Sequence, residues 1–174
     1  MRIVFLPGLI CDGDVFAAQM AALARSTGIA IADFAAASTI EDMARAALDA
    51  FAGPLTLIGF SMGGRAAMEV ARLAPERVAK LCLMGTGFAA ASETERRERR
   101  AALDLVRREG IAALAREWSA AAVHPDRRGD PSLSEPLQAM IARADAAQCK
   151  RRSNNPSLRR PDCPVAPEQK SVSR

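Results

Sequence analysis

A serine hydroxyl becomes an acyl-transfer nucleophile only when the backbone holds it clear of its neighbours and a base takes its proton. The stretch that suits the first requirement is Gly59-Phe60-Ser61-Met62-Gly63-Gly64. It completes the apolar run that begins at Leu55 and leads into small, helix-forming residues from Met62 to Ala74, which Pro75 ends. A strand that turns into a helix over one residue forces that residue into a strained conformation. The positions two before and two after it must then be tiny, or their Cβ atoms clash. Gly59 and Gly63 hold those positions, and Gly64 follows. Ser61 then projects above the C-terminal ends of the strands, where open parallel sheets keep their sites, and the next helix aims its N-terminal amides at the same spot. G-x-S-x-G alone is a common string of small residues; the strand before it and the helix after it give it meaning.

The second requirement is harder to meet. The chain has one histidine, His124, beside Pro125-Asp126. It reads as a surface residue of a loop between helices, with a role as the base for Ser61 as the rival reading. The four cysteines (Cys11, Cys82, Cys149 and Cys163) show neither C-x-x-C spacing nor companion histidines, so no metal and no cofactor is expected. Cys82 lies within the apolar run Val78–Met84 and is expected to be buried and reduced.

The elements that must position Ser61 follow from periodicity. Ile3-Val4-Phe5-Leu6 reads as a strand buried on both faces and stopped by Pro7-Gly8. Val15, Phe16, Met20 and Leu23 recur at helical spacing between Asp14 and Ala24, with Asp14 as N-cap. Ile29–Phe34 is a weaker strand. A helix opening at Thr39-Ile40-Glu41-Asp42 carries Met43, Ala47, Leu48 and Phe51 along one side. Leu55–Phe60 and Val78–Met84 are two further strands. Strands alternating with helices at this rhythm predict an α/β fold with a doubly wound, mostly parallel sheet.

The texture changes after Gly87. Ser92–Arg108 is densely charged and reads as a solvated, salt-bridged helix over a stripe of Leu103, Val106 and Ile111. Ile111–Val123 and Leu133–Ala147 also read as helical, and three helices with no strand between them suggest a lid. Residues 150–174 lose all periodicity and read as a disordered basic tail. The expected organisation is thus a core over 1–90, a helical lid or cap over 91–149 and a tail over 150–174.

The 174 residues, 49% hydrophobic and 25% charged, suit one globular domain. The formal charge of +4 is misleading, because residues 150–174 carry +5 and the remainder −1. A basic pI confined to a tail gives no ground for a nucleic-acid partner. The N-terminal apolar stretch is too short for a signal sequence or membrane span, so no membrane partner and a cytoplasmic location are expected.

The Ser61 segment, together with Leu6-Pro7-Gly8-Leu9-Ile10-Cys11-Asp12 and Ala74-Pro75-Glu76-Arg77-Val78, resembles the α/β-hydrolase superfamily. More narrowly it is similar to small bacterial serine hydrolases and esterases that begin at the third strand of the full fold. The resemblance covers residues 1–149 and is strongest over Ile3–Gly87. It implies that Ser61 is the nucleophile on a nucleophile elbow, that the backbone N–H groups of Leu9 and Met62 form the oxyanion hole, and that the substrate is a small ester, thioester or lactone. Many relatives have a histidine where this chain has Pro7; the donor is a backbone group, so the exchange leaves the hole in place.

In that family the acid follows the next core strand and the histidine the last one. Neither strand is legible after the helical segment: Cys163-Pro164-Val165 resembles a lead-in, but no apolar run follows. A shift of reading frame near Ala147–Lys150 or a natural truncation would each account for this. Both predict a sheet lacking its last core strands, an unpaired edge and self-association. The rival functions are a non-catalytic truncated remnant that binds small apolar ligands, and an interaction protein using its basic tail.

Overall fold

Four short aliphatic runs form one parallel sheet: β1 (Ile3–Leu6), β2 (Ile29–Ile31), β3 (Leu55–Phe60) and β4 (Val78–Met84), in the order β2-β1-β3-β4. The computed structural model describes residues 1–25, 28–88 and 92–144. Helix α1 (Ala17–Ala22) joins β1 to β2, α2 (Ile40–Asp49) joins β2 to β3, and α3 (Met62–Leu73) joins β3 to β4. The chain therefore steps one way from β1 to β2 and the other way from β3 to β4. The reversal falls between β1 and β3, the crevice where open α/β sheets place ligands.

The alternation of side chains divides the core by face. Val4, Leu6, Leu55 and Leu57 pack with Met43, Ala47, Ala66 and Val70 of α2 and α3. Ile3 and Phe5 point the other way, onto Phe16, and all three are fully buried. Phe16 belongs to a 3-10 turn, Gly13–Phe16, that precedes α1. Its cap is Asp12, whose carboxylate accepts the Asp14 N–H, and not the expected Asp14. The extra turn moves the cap two residues back.

Three local devices fix the other elements. β2 stops at Ile31, short of the expected Phe34, because the Asp33 carboxylate takes the Ala35 N–H and turns the chain. Thr39 and Asp42 form a reciprocal capping box at the start of α2. Arg77 closes the other end of that helix: its guanidinium donates to the carbonyls of Gly53 (2.8 Å), Phe51 (2.6 Å) and Leu48 (3.3 Å). A cation there satisfies orphan carbonyls and opposes the helix dipole.

Cys82 is exposed, contrary to the expectation that it is buried. β4 is the edge of the sheet among the described residues, and its register sets Cys82 beside Ile58 on the Phe16 face, where Met84 is the β4 residue that packs against the buried cluster and Cys82 does not. On the opposite face Leu81 and Leu83 remain 41% and 43% exposed. An apolar run predicts burial only where something packs on both sides of it.

Beyond β4 come α4 (Glu93–Glu109), α5 (Ile111–Ala122) and α6 (Pro131–Ala142). The last begins two residues before the expected Leu133, with Asp130 as cap and Pro131 in the first turn. Ala102, Leu103, Leu114, Met140 and Ile141 join them in one cluster, which also takes in Ile10. Arg143 ties α6 to the body through the carboxylates of Asp12 and Asp14, and both contacts hold its pKa above the usual guanidinium value. Residues 145–147 of the expected third helix and the whole basic tail lie outside the described residues.

Candidate active site

Ser61 occupies the single residue between β3 and α3, with φ 52° and ψ −117°. Its N–H donates to the Met84 carbonyl at 2.9 Å, which ties the turn to β4. Its own carbonyl accepts the Gly64 N–H at 3.0 Å and starts the helix. The glycines around it are required by contact. A Cβ on Gly59 would lie 2.6 Å from the Gly63 carbonyl oxygen, and one on Gly64 would lie 2.6 Å from Thr86 Cγ2. One on Gly63 would lie 2.5 Å from the Pro7 carbonyl oxygen and closer still to that of Leu6. Such spacing lets α3 seat its first turn directly on the end of β1.

The loop after β1 closes over the same place. A Cβ on Gly8 would come within 3.3 Å of Ser61 Cβ, so Pro7-Gly8-Leu9 runs alongside the serine. The Cys11 N–H donates to the Gly8 carbonyl at 3.3 Å, and Ile10 within that turn has φ 53°. Ile10 and Ser61 are the two non-glycine residues with positive φ among the described residues, and both line one cavity. Left-handed backbone costs about 1–3 kcal/mol at such residues and tends to gather at functional sites.

That cavity measures about 450 Å³ and is chiefly apolar. Leu9, Ser61 and Met62 line it together with Trp118 of α5 and Leu137 and Met140 of α6. Three of the residues singled out in the sequence, Ser61 with Leu9 and Met62, thus share one pocket.

His124 is not among the residues lining it. The imidazole caps a 3-10 turn at Pro125–Arg127, its Nδ1 taking the Asp126 N–H at 3.4 Å, and its side chain is 73% exposed. Charged residues that the sequence reading left on a solvated face enter the cavity instead. Glu95 and Arg99 of α4 line it, and Arg65 of α3 reaches Glu95 at 3.2 Å. Arg99 holds the same carboxylate at 2.5 Å. Burial pushes the Arg99 pKa below its usual value; Glu95 opposes that effect and the neighbouring Arg65 adds to it.

A family model of the alpha/beta hydrolase fold matches residues 2–121. The chain belongs to that family. Solved α/β-hydrolases superimpose on nine-tenths of it. A thermophilic esterase from Thermogutta terrifontis, solved with malate bound, is 25% identical with a TM-score of 0.73, over 90% of this chain and 63% of its own. A hydrolase from Pseudomonas aeruginosa PA01 is 19% identical with a TM-score of 0.74, over 91% and 63%. The enol-lactonase from Burkholderia xenovorans LB400 is 21% identical with a TM-score of 0.72, over 90% and 64%. The chain therefore spans less than two thirds of the length of these α/β-hydrolases. A search of curated proteins found no match. Among the described residues no helix is long and apolar enough to cross a membrane.

Proposed function

We propose that this α/β-hydrolase chain carries the nucleophilic half of a serine hydrolase site for a small ester, thioester or lactone. Ser61 would attack the carbonyl carbon, with the backbone N–H groups of Leu9 and Met62 stabilising the oxyanion, and α4–α6 would serve as the lid that shapes the acyl pocket. The observation that carries this is the Ser61 backbone, held at φ 52° in the lining of an apolar cavity beside the Gly8 loop. An esterase and an enol-lactonase among the relatives agree with carbonyl chemistry of this kind. With no imidazole among the described residues lining the cavity, Ser61 has no base there, so turnover is expected far below that of a complete triad, sustained by binding and the oxyanion hole alone.

The test is labelling with a fluorophosphonate, in which a nucleophilic serine oxygen displaces fluoride from phosphorus. With no base in the cavity the reaction should be slow, so excess reagent and long incubation are used; peptide mapping should then find the label on Ser61, Ser61→Ala should remove it, and His124→Ala should leave its extent unchanged. A chain that stays unlabelled, or is labelled elsewhere, would overturn the reading. The apolar lining without an imidazole favours a second reading, a non-catalytic pocket for small apolar ligands; ligand binding with no labelling of Ser61 would select it.

The exposed β4 edge is the proposed route to self-association. Sedimentation should show mass rising with protein concentration, and a Leu81→Lys, Leu83→Lys double substitution should shift the population toward monomer. Unchanged association in that variant would place the contact elsewhere.

A further inference from the structure

Arg99 is the one cavity-lining residue, among those described, with a buried side-chain polar atom that lacks a hydrogen-bond partner. Its side chain is only 14% exposed, and one terminal nitrogen, Nη2, is engaged by Glu95. The other, Nη1, is buried with no hydrogen-bond partner among the described residues. Arg99 lines the ligand-sized cavity, and buried donors are satisfied almost everywhere in native proteins, so its open Nη1, just behind that wall, calls for an acceptor that a bound ligand can bring.

The local charge agrees. Arg65 Nη2 also turns to Glu95, at 3.2 and 3.4 Å from its two oxygens, so two guanidiniums share a single carboxylate and the group retains one positive charge. Glu98, the other acidic residue lining the cavity, is exposed and so lies at the rim. Among mostly apolar walls, an excess charge is weakly screened and acts strongly on an ion brought beside it. The planar fork of an arginine matches a carboxylate in particular.

Resting on the reading of this cavity as the substrate pocket, we infer that its substrates are acidic: esters or lactones that carry a free carboxylate, which Arg99 binds while the carbonyl to be attacked lies over Ser61. Glu95 is then a positioning residue, which fixes the Arg99 fork and spans α3 and α4 through Arg65.

A matched pair of esters tests this with binding as the readout. Monomethyl glutarate carries a carboxylate at one end; dimethyl glutarate is its neutral counterpart. Calorimetric titration of the full chain carrying Ser61→Ala, which cannot turn either over, should show monomethyl glutarate binding about tenfold more tightly. Adding Arg99→Gln should bring the two within about twofold by weakening the acidic ester only, and Arg99→Lys should keep part of the preference. Phenylglyoxal, an arginine-selective reagent, should modify Arg99 more slowly in the unsubstituted chain when monomethyl glutarate is present. This reads the contact without any substitution, should Arg99→Gln fail to fold. Equal or undetectable binding of the two esters, a preference that survives Arg99→Gln, or no protection from phenylglyoxal would overturn the proposal. None of these readouts uses the Ser61 hydroxyl, so loss of fluorophosphonate labelling would count against the nucleophile and not against the carboxylate site.

Discussion

Gly63→Ala is expected to cost at least about 4 kcal/mol and to bring the protein close to unfolding, since domains of this size are held by only about 5–15 kcal/mol. The added Cβ would lie 2.5 Å from the Pro7 carbonyl oxygen and nearer still to the Leu6 carbonyl. Both are backbone atoms, one at the end of the central strand β1 and one in the loop that follows, so no side-chain rotation relieves the clash. α3 would have to withdraw from the sheet, which would open the cluster of Leu6, Leu57, Met62 and Ala66. Gly87→Ala is the control, because a Cβ there meets nothing within 4 Å, and it should change stability by less than about 0.5 kcal/mol. Urea denaturation followed by circular dichroism separates the two. If Gly63→Ala kept the parent's midpoint, α3 would not be seated on β1 as tightly as this geometry requires.

The same contact explains why the tight strand-to-helix turn at Ser61 was legible in the sequence. Gly59, Gly63 and Gly64 each meet a backbone or a packed side chain at a distance no Cβ tolerates, so the local steric demand left its mark in residue type. The helix start at Thr39-Ile40-Glu41-Asp42 was readable for the same reason, since the capping box that Thr39 and Asp42 form there is complete within four residues. Features that depend on what packs from far away were not. Cys82 sits in a run as apolar as Leu55–Phe60, yet it is exposed, because burial of an edge strand depends on a neighbour that the run itself does not encode. The charged α4 misled in the opposite direction. Its buried stripe of Ala102 and Leu103 continues one turn back to Arg99 and another to Glu95, residues that composition assigned to solvent. The signal was present in their spacing of four from Leu103, but it became informative only once Arg65 of the elbow helix was seen to reach Glu95.

Phe16→Ala should cost about 3–5 kcal/mol, the usual range for emptying a fully buried aromatic site. Phe16 packs on Phe5 with ring centroids 4.8 Å apart and planes inclined at 42°, an arrangement that adds to simple burial. Phe16→Leu should lose less than half as much, since it refills most of the volume. Phe88→Ala, at a site 77% exposed, should be nearly neutral. The effect is not confined to stability. Phe16 anchors the 3-10 turn that continues from Asp12, and the preceding stretch supplies Leu9, Ile10 and Cys11 to the cavity wall. Ile10 keeps its φ of 53° only while the turn on either side of it is held down. Loosening that anchor should therefore let the loop relax away from Ser61. Phe16→Ala is expected to slow fluorophosphonate labelling several-fold at temperatures where the protein is still folded, whereas Phe16→Leu should label close to the parent rate. Equal labelling rates in a destabilised but folded Phe16→Ala protein would show that the loop holds its place by its own turn and by α6, through the Arg143 contacts to Asp12 and Asp14.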